Sequence, residues 1–459
     1  MTKKISIFSL VILIIAAIDN VRNLPAAALF GNSIIFFFIF AALVFLIPVS
    51  LVSAELSAAF PEKGGIYQWV NKAFGKKWAM AAIWLQWINT MVWYPTILSF
   101  VAGTLAYLID PQLAQHKPYL ITCILVVFWG LTLVNLKGIH ISAYINNIFA
   151  LLGTVLPMIL LMILGGIWFF TGQPRQISLT GPGLIPSLAD STNWVSLIAI
   201  MASFLGMELS GVHVNHIRDP QKNFPRAVFT AALFIFLSMT LGSLAIAFVL
   251  PEKEINLVSG VMQVFTSFLE SFGLKPWLPV LTFCIVIGSI GNMINWLISP
   301  AKGLLHAAEF GFLPPFFSRQ NKAGVAYNIL IAQGVIVTLV CILFLFEPTV
   351  NSFYWFLTAL STELYMMMYL LMFGAGLCLH YKYLDRPASF KIPGKAFGMW
   401  TTCLLGFVGC LTTIVVSFFP PDTIDTGGSF RYLMMIVIGN ILTISPLFLF
   451  YLYRRKKRS

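Results

Sequence analysis

The chain has 459 residues, of which 59% are apolar and only 10% charged, and its mean hydropathy is +0.89. Soluble domains carry about 25% charged residues, and surface-to-volume scaling would leave much of this apolar surface in water. A soluble globular fold is therefore excluded, and the net charge of +12 does not signal nucleic-acid binding, because the basic residues sit in short loops between apolar runs.

Those runs fall at 7–30, 34–58, 78–108, 118–136, 143–170, 193–216, 226–250, 275–308, 325–346, 350–380, 399–419 and 430–453. Each is near the roughly 20 residues that cross a bilayer core of about 30 Å. Backbone groups in lipid must bond internally, so the runs are expected to be helices. The fold class that follows is an all-α membrane protein of about 12 transmembrane helices, with the lipid bilayer as its main partner. Lys3, Lys4 and the run up to Ile18, ahead of Ala26–Ala28, have the outline of a signal peptide. Asp19, Arg22 and Asn23 interrupt that outline, and a first membrane helix broken near its middle fits better. Lysines and arginines then set the orientation. With the N-terminus inside, 22 of the 28 fall on the cytoplasmic side and five outside, with Arg22 inside the first run. Both termini are expected in the cytoplasm.

Between runs 2 and 3, residues 65–75 carry Tyr67 and Trp69 and read as a short interfacial segment with its rings at headgroup depth. Residues 254–272 place Val261, Phe265 and Phe268 at helical spacing and read as a helix across the outer face. Six cysteines, Cys123, Cys284, Cys341, Cys378, Cys403 and Cys410, form no CxxC pair and read as small core residues.

Charge inside lipid costs roughly 2.5–3.5 kcal/mol per residue on insertion scales, so buried ionisable groups are the functional candidates. Run 1 holds Ile18-Asp19-Asn20-Val21-Arg22-Asn23 before Pro25. Run 6 holds Gly206-Met207-Glu208-Leu209-Ser210-Gly211, two glycines bracketing a carboxylate. Each glycine weakens a helix by about 1 kcal/mol against alanine, so both runs are expected to unwind there. Run 6 follows run 1 by an odd number of crossings, and the two traverse the membrane in opposite directions. Paired interruptions in two inverted halves point to a midplane transport site. Unwound backbone offers N–H and C=O groups, and half-helix N-termini attract a carboxylate. The bland reading is a pair of packing kinks in which Asp19 and Arg22 neutralise each other. Trp93 in run 3 could stack on a cationic amine, and Glu363 in run 10 could face a cavity. Glu55, near Pro61, is expected to pair with a lysine of a neighbouring helix or loop, and Glu309 to form a gate or interface salt bridge. His213 and His216 stand at i, i+3 with no third ligand nearby, so no metal is expected. No cofactor is expected either. No zinc-protease set, nucleophile elbow or phosphate loop marks an enzyme.

Ser203-Phe204-Leu205-Gly206-Met207-Glu208, followed by Asp219-Pro220-Gln221-Lys222-Asn223-Phe224-Pro225, resembles the sixth-helix signature of the amino acid–polyamine–organocation transporters. The likeness sharpens toward the bacterial glutamate/GABA antiporter branch. It extends through His213-Val214-Asn215, residues 255–263, Phe390-Lys391-Ile392-Pro393-Gly394 and Ser417-Phe418-Phe419-Pro420-Pro421-Asp422. The resemblance implies a 5+5 inverted-repeat (leucine-transporter-like) fold with broken helices 1 and 6. Its first repeat would be 1–175, its second 190–383, and two added helices would occupy 396–454. It implies a bacterial inner (plasma) membrane protein that exchanges one amino acid for another or for its decarboxylated amine, with a homodimer left open. A proton-coupled amino-acid or amine symporter on the same fold is the alternative.

The substrate-binding set expected is Ile18, Asp19, Asn20, Val21, Arg22, Trp93, Gly206, Met207, Glu208, Leu209, Ser210, Trp296 and Glu363, with Glu208 and Asp19 also gating or proton-linked. Trp296 falls where related antiporters carry a substrate-facing tryptophan. Two departures stand out. Relatives usually have small residues where this chain has Asp19-Asn20. Acid-resistance members carry a C-terminal plug, whereas the basic end Arg454–Ser459 is too short to serve, so plug-type pH gating is not expected.

Overall fold

With no water in hydrocarbon to satisfy an open strand, helices are the regular elements among the described residues. The structure, a computed structural model, describes residues 6–60, 65–138, 143–187, 191–209, 217, 219–309, 311, 313–383 and 390–456. In chain order the helices are α1 (Ile7–Ile18), α2 (Leu24–Ala28), α3 (Ile34–Ala41), α4 (Ile47–Ala59), α5 (Gly65–Phe74), α6 (Lys76–Ala106), α7 (Lys117–Leu136), α8 (Ala143–Ala150) and α9 (Leu156–Phe170). They continue with α10 (Ser191–Trp194), α11 (Ser196–Ala202), α12 (Pro220–Val249), α13 (Gly260–Ser271), α14 (Leu278–Glu309), α15 (Tyr327–Leu343), α16 (Val350–Lys382), α17 (Lys395–Val416) and α18 (Ser429–Lys456).

Ten helical segments among the described residues are long and apolar enough to cross a membrane. They cover every expected run except the third and the sixth. The third run is α6, 31 residues long and thus about 46 Å at 1.5 Å per residue, which is ample for a crossing. Gln86, Asn89, Thr90 and Thr96 dilute its hydropathy, and the helix is buried along most of its length. The sixth run is a shorter apolar helix, Ser196–Leu209, because it unwinds.

Run 1 breaks as its polar residues demand. α1 stops at Asp19, whose backbone is extended, and Asn20 is extended too. A 3-10 turn, Val21–Asn23, leads into α2 with Pro25 in its first turn, the position where a missing N–H costs least. Run 6 breaks after Ala202. Residues 203–206 form turns and 207–209 a 3-10 turn, with Gly206 at φ +106°, a conformation open to glycine and few others.

Runs 2 and 5 share a subtler feature. Each contains a π turn, Ala42–Leu46 and Leu151–Val155, and each turn is followed by a proline, Pro48 and Pro157. Proline has no N–H to give the carbonyl four residues earlier, here Val44 and Gly153, and the ladder widens over that stretch. Another helix brings a glycine to each freed position. A Cβ on Gly409 of α17 would lie 2.7 Å from the Val44 carbonyl oxygen, and one on Gly288 of α14 would run into the backbone of Gly153.

The long axis of the core is α6, which packs along α16 and α14, while α1 packs along α12. One expectation needs amending. Residues 65–74 are a helix, but Tyr67 and Trp69 are buried and α5 packs on α6 and α16, so the rings fill the interior rather than the headgroup layer. The outer segment is the helix α13, with Val261, Phe265 and Phe268 fully buried.

Candidate functional site

The two breaks meet α6, α14 and α16 around a narrow central cavity of about 70 Å³. Ile18, Asn20, Arg22 and Asn23 line it from the first break, and Ala202, Leu205 and Gly206 from the second. Asn89, Thr90, Trp93, Thr96 and Ile97 come from α6, Trp296 from α14, and Thr358, Ser361, Thr362 and Tyr365 from α16.

Arg22 sits on the 3-10 turn and is 5% exposed. Its Nη1 donates to Thr96 Oγ1 at 2.5 Å, and its guanidinium carbon lies 4.9 Å from the centroid of the Trp93 ring. Nε has no hydrogen-bond partner. Asn20 Oδ1 accepts the Arg22 backbone N–H at 3.1 Å, and the Tyr354 hydroxyl donates to the Arg22 carbonyl at 3.0 Å, so the turn carrying the guanidinium is fixed from two sides. Trp93 and Trp296 face each other with ring centroids 5.3 Å apart. Tyr94 holds the Trp296 segment by donating to its carbonyl at 2.8 Å. Ser361 donates to Asn89 Oδ1, joining α16 to α6 across the cavity floor.

Asp19 does not join this group. It is 2% exposed, and its carboxylate turns to α12, where the Ser238 hydroxyl donates to Oδ2 at 2.9 Å. Oδ1 has no partner. The mutual neutralisation of Asp19 and Arg22 is therefore not what the structure has. Val21 is buried in the core beside them rather than lining the cavity.

Glu208, 3% exposed, is the hub behind the second break. Tyr365 donates to its Oε1 at 2.7 Å, Tyr369 donates to Oε2, and Gln86 Nε2 approaches Oε1 at 3.4 Å. The Tyr369 oxygen in turn accepts the Gly206 N–H at 2.9 Å. One phenol thus ties the carboxylate to the unwound backbone. The carboxylate itself is screened from the cavity by Tyr365. Met207 is buried, its carbonyl 3.5 Å from the Ser53 hydroxyl, and the Leu209 N–H closes the 3-10 turn onto the Gly206 carbonyl at 3.0 Å. Ser210, His213 and His216 lie outside the described residues.

Glu363 is 1% exposed but turns from the cavity toward α18, where Asn440 Nδ2 donates to Oε2 at 2.9 Å. Glu55 pairs with a histidine rather than a lysine. His380 Nδ1 lies 3.0 Å from its Oε1, and the Ile392 N–H donates to Oε2 at 2.7 Å, clasping α4 to α16 and to the segment before α17. Glu309 receives the Gln320 amide at 3.5 Å.

Sequence reasoning passed over Gln86, Asn89 and Thr96 on α6 and Thr358, Ser361, Tyr365 and Tyr369 on α16. The α6 set is spaced by three and seven residues and the α16 set by three and four, so each follows a single helix face. That polar stripe was the available signal.

Comparison with known proteins places these residues in context. The family model described as amino acid permease matches residues 5–440. An uncharacterized transporter of Legionella pneumophila is 39% identical over 443 residues, covering 96% of this chain and 95% of its own. A glutamate/gamma-aminobutyrate antiporter of Lactococcus lactis is 29% identical over 461 residues, 99% of this chain and 92% of its own. A protein of the same species named as a probable agmatine/putrescine antiporter is 24% identical over 398 residues, 86% of this chain and 83% of its own.

Proposed function

The chain belongs to the amino acid permease family, and from that premise we propose that this multi-pass membrane transporter works as an amino acid antiporter by alternating access. Its exchange would resemble that named for the glutamate/gamma-aminobutyrate relatives. The observation that carries the reading is the convergence of two unwound segments, one in each half of the chain, on one cavity. Unwound backbone can hold a zwitterion, and the half-helices on either side can tilt about it. The proposal includes about 12 crossings in a 5+5 inverted repeat, with halves 1–175 and 190–383 and an added pair at 396–454. It includes an inner-membrane location with both termini inside, which the 22-to-5 division of basic residues favours.

In this scheme Ile18, Asn20, Arg22, Gly206, Trp93 and Trp296 contact substrate. Glu208 reports the state of the second break through Tyr365 and Tyr369. Counterflow into proteoliposomes tests the scheme. Labelled glutamate should accumulate only when a partner amino acid or ω-amino acid is loaded inside, and Glu208→Ala should reduce the rate at least about tenfold, as expected when a buried hydrogen-bonded charge is removed. A variant that inserts normally and exchanges at the wild-type rate would remove Glu208 from the gate.

Asp19 favours a second reading, a proton-coupled symporter. Its buried carboxylate has one oxygen without a partner and lies beside the break but off the cavity, which suits a proton site. Label entering empty vesicles under a pH gradient, and lost in Asp19→Asn, would establish symport in place of exchange.

A further inference from the structure

Within the central cavity the charges do not balance. Among the described lining residues one side chain, Arg22, carries a formal charge, and no carboxylate lines the space. The nearby acids are all occupied elsewhere: Asp19 by Ser238, Glu208 by Tyr365, Tyr369 and Gln86, and Glu363 by Asn440. Arg22 donates through Nη1 to Thr96 and stands against the Tyr354 hydroxyl, while its Nε–H is buried and unpartnered. A guanidinium carries five N–H donors in a planar fork, so most of its capacity is unspent. A buried charge without a counter-charge is strongly unfavourable, most of all at membrane depth. Trp93 beneath the guanidinium and Thr96 at one corner fix its plane, which leaves the fork ready for a planar, two-oxygen anion.

We propose that Arg22 is the specificity-determining anchor of the cavity and receives the cargo's terminal carboxylate, the one that glutamate and γ-aminobutyrate share and that glutamine carries as an amide. The inference deepens the antiporter reading, on which it rests, by naming the substrate class. Every cargo carries a carboxylate, an amino acid with an acidic side chain is preferred because it alone neutralises the site, and amines without a carboxylate are rejected. A dicationic amine would add two positive charges to one already buried. The chain therefore differs in cargo class from what the name of the agmatine/putrescine relative describes.

The test uses the full-length purified protein, wild type and Arg22→Gln and Arg22→Lys, with glutamate, its neutral isostere glutamine, γ-aminobutyrate, agmatine and putrescine. Counterflow in proteoliposomes and ligand-induced thermal stabilisation in detergent are both measured. In the wild type, glutamate should be preferred over glutamine, and neither agmatine nor putrescine should exchange, compete or stabilise. Arg22→Gln should raise the half-saturating glutamate concentration about tenfold or more, in the range of a lost charge-assisted pair, while glutamine changes less than about threefold. If Arg22→Gln does not fold, Arg22→Lys carries the test. It keeps the charge and loses the fork, so the glutamate-to-glutamine preference should narrow severalfold without vanishing. Equal losses for glutamate and glutamine, or wild-type stabilisation by agmatine or putrescine, would overturn the inference. The two readings fail separately. Stabilisation by glutamate that depends on Arg22, with no exchange, sinks the antiporter and keeps the anchor. Exchange indifferent to Arg22 does the reverse.

Discussion

Tyr369 shows how much one side chain can organise. Its hydroxyl donates to Glu208 and accepts from the Gly206 N–H, so Tyr369→Phe strands a buried carboxylate oxygen and a buried backbone donor together. An unsatisfied buried group costs roughly 1–3 kcal/mol, and a lowered thermal midpoint with slowed exchange is expected. An unchanged midpoint would mean that water substitutes for the phenol. Glu347 lies outside the crossings, buried between α15 and α16, where Ser352 donates to it at 3.0 Å and Arg431 stands 3.7 Å away. Burial raises its carboxyl above the ordinary value, with Ser352, Arg431 and Lys117 pulling partly back. The folded chain then holds this proton more tightly than the unfolded one. This group's contribution to stability is therefore greatest at low pH and declines as pH rises from about 4.3 through the raised value. Glu347→Gln should flatten the midpoint-versus-pH curve over that window, and identical slopes for both proteins would count against it. At this scale the sequence showed which residues were costly but not where they point. Asp19 and Arg22 are three positions apart on a broken segment, and only the local backbone path sends one to α12 and the other to the cavity.

The elements were more readable where the chain violates a rule outright. Four polar residues before Pro25, and glycine beside Glu208, announced the breaks. The π turns went unread because their cause, a proline near the middle of an apolar run, also fits an ordinary kink. Their partners give a test. Gly288→Ala and Gly409→Ala place a Cβ against backbone in the two turns and should cost about 1–3 kcal/mol as overpacking. Gly166 of α9 has open space where a Cβ would stand, with nothing within 4 Å. It provides the opposite sign, since alanine there should gain up to about 1 kcal/mol of helix propensity. Thermal unfolding of the three variants side by side would show the contrast, and a common response at all three would remove the special standing of the π turns.

Over the whole molecule, apolar length alone located most of the crossings, because lipid imposes one solution on the backbone. It found α6 as well, although the polar stripe that serves the cavity lowers that helix's hydropathy, and run 6, which the structure shortens. Orientation is the remaining global expectation. In a background with the six native cysteines replaced, a cysteine at Lys77 should react with an impermeant thiol reagent only from the cytoplasmic side, and one at Lys253 only from outside. Reversed labelling would invert the topology and both proposals about sidedness with it. The cavity residues were legible only as a list. Their convergence depends on contacts between α6 and α16, whose residues stand more than 240 positions apart, and no local pattern reports such a distance.

That separation has a consequence for how the protein is made. The ribosome finishes α6 long before it begins α16, and at roughly 5–20 residues per second the wait lasts on the order of 10–50 s. During that interval Gln86, Asn89, Thr90 and Thr96 have none of their eventual neighbours on α16. α6 is then a poor candidate for independent release into lipid and has to be sheltered by the insertion machinery or by the helices already made. Nascent chains halted before residue 350 should accordingly be cleared by quality-control proteases faster than chains halted after residue 382.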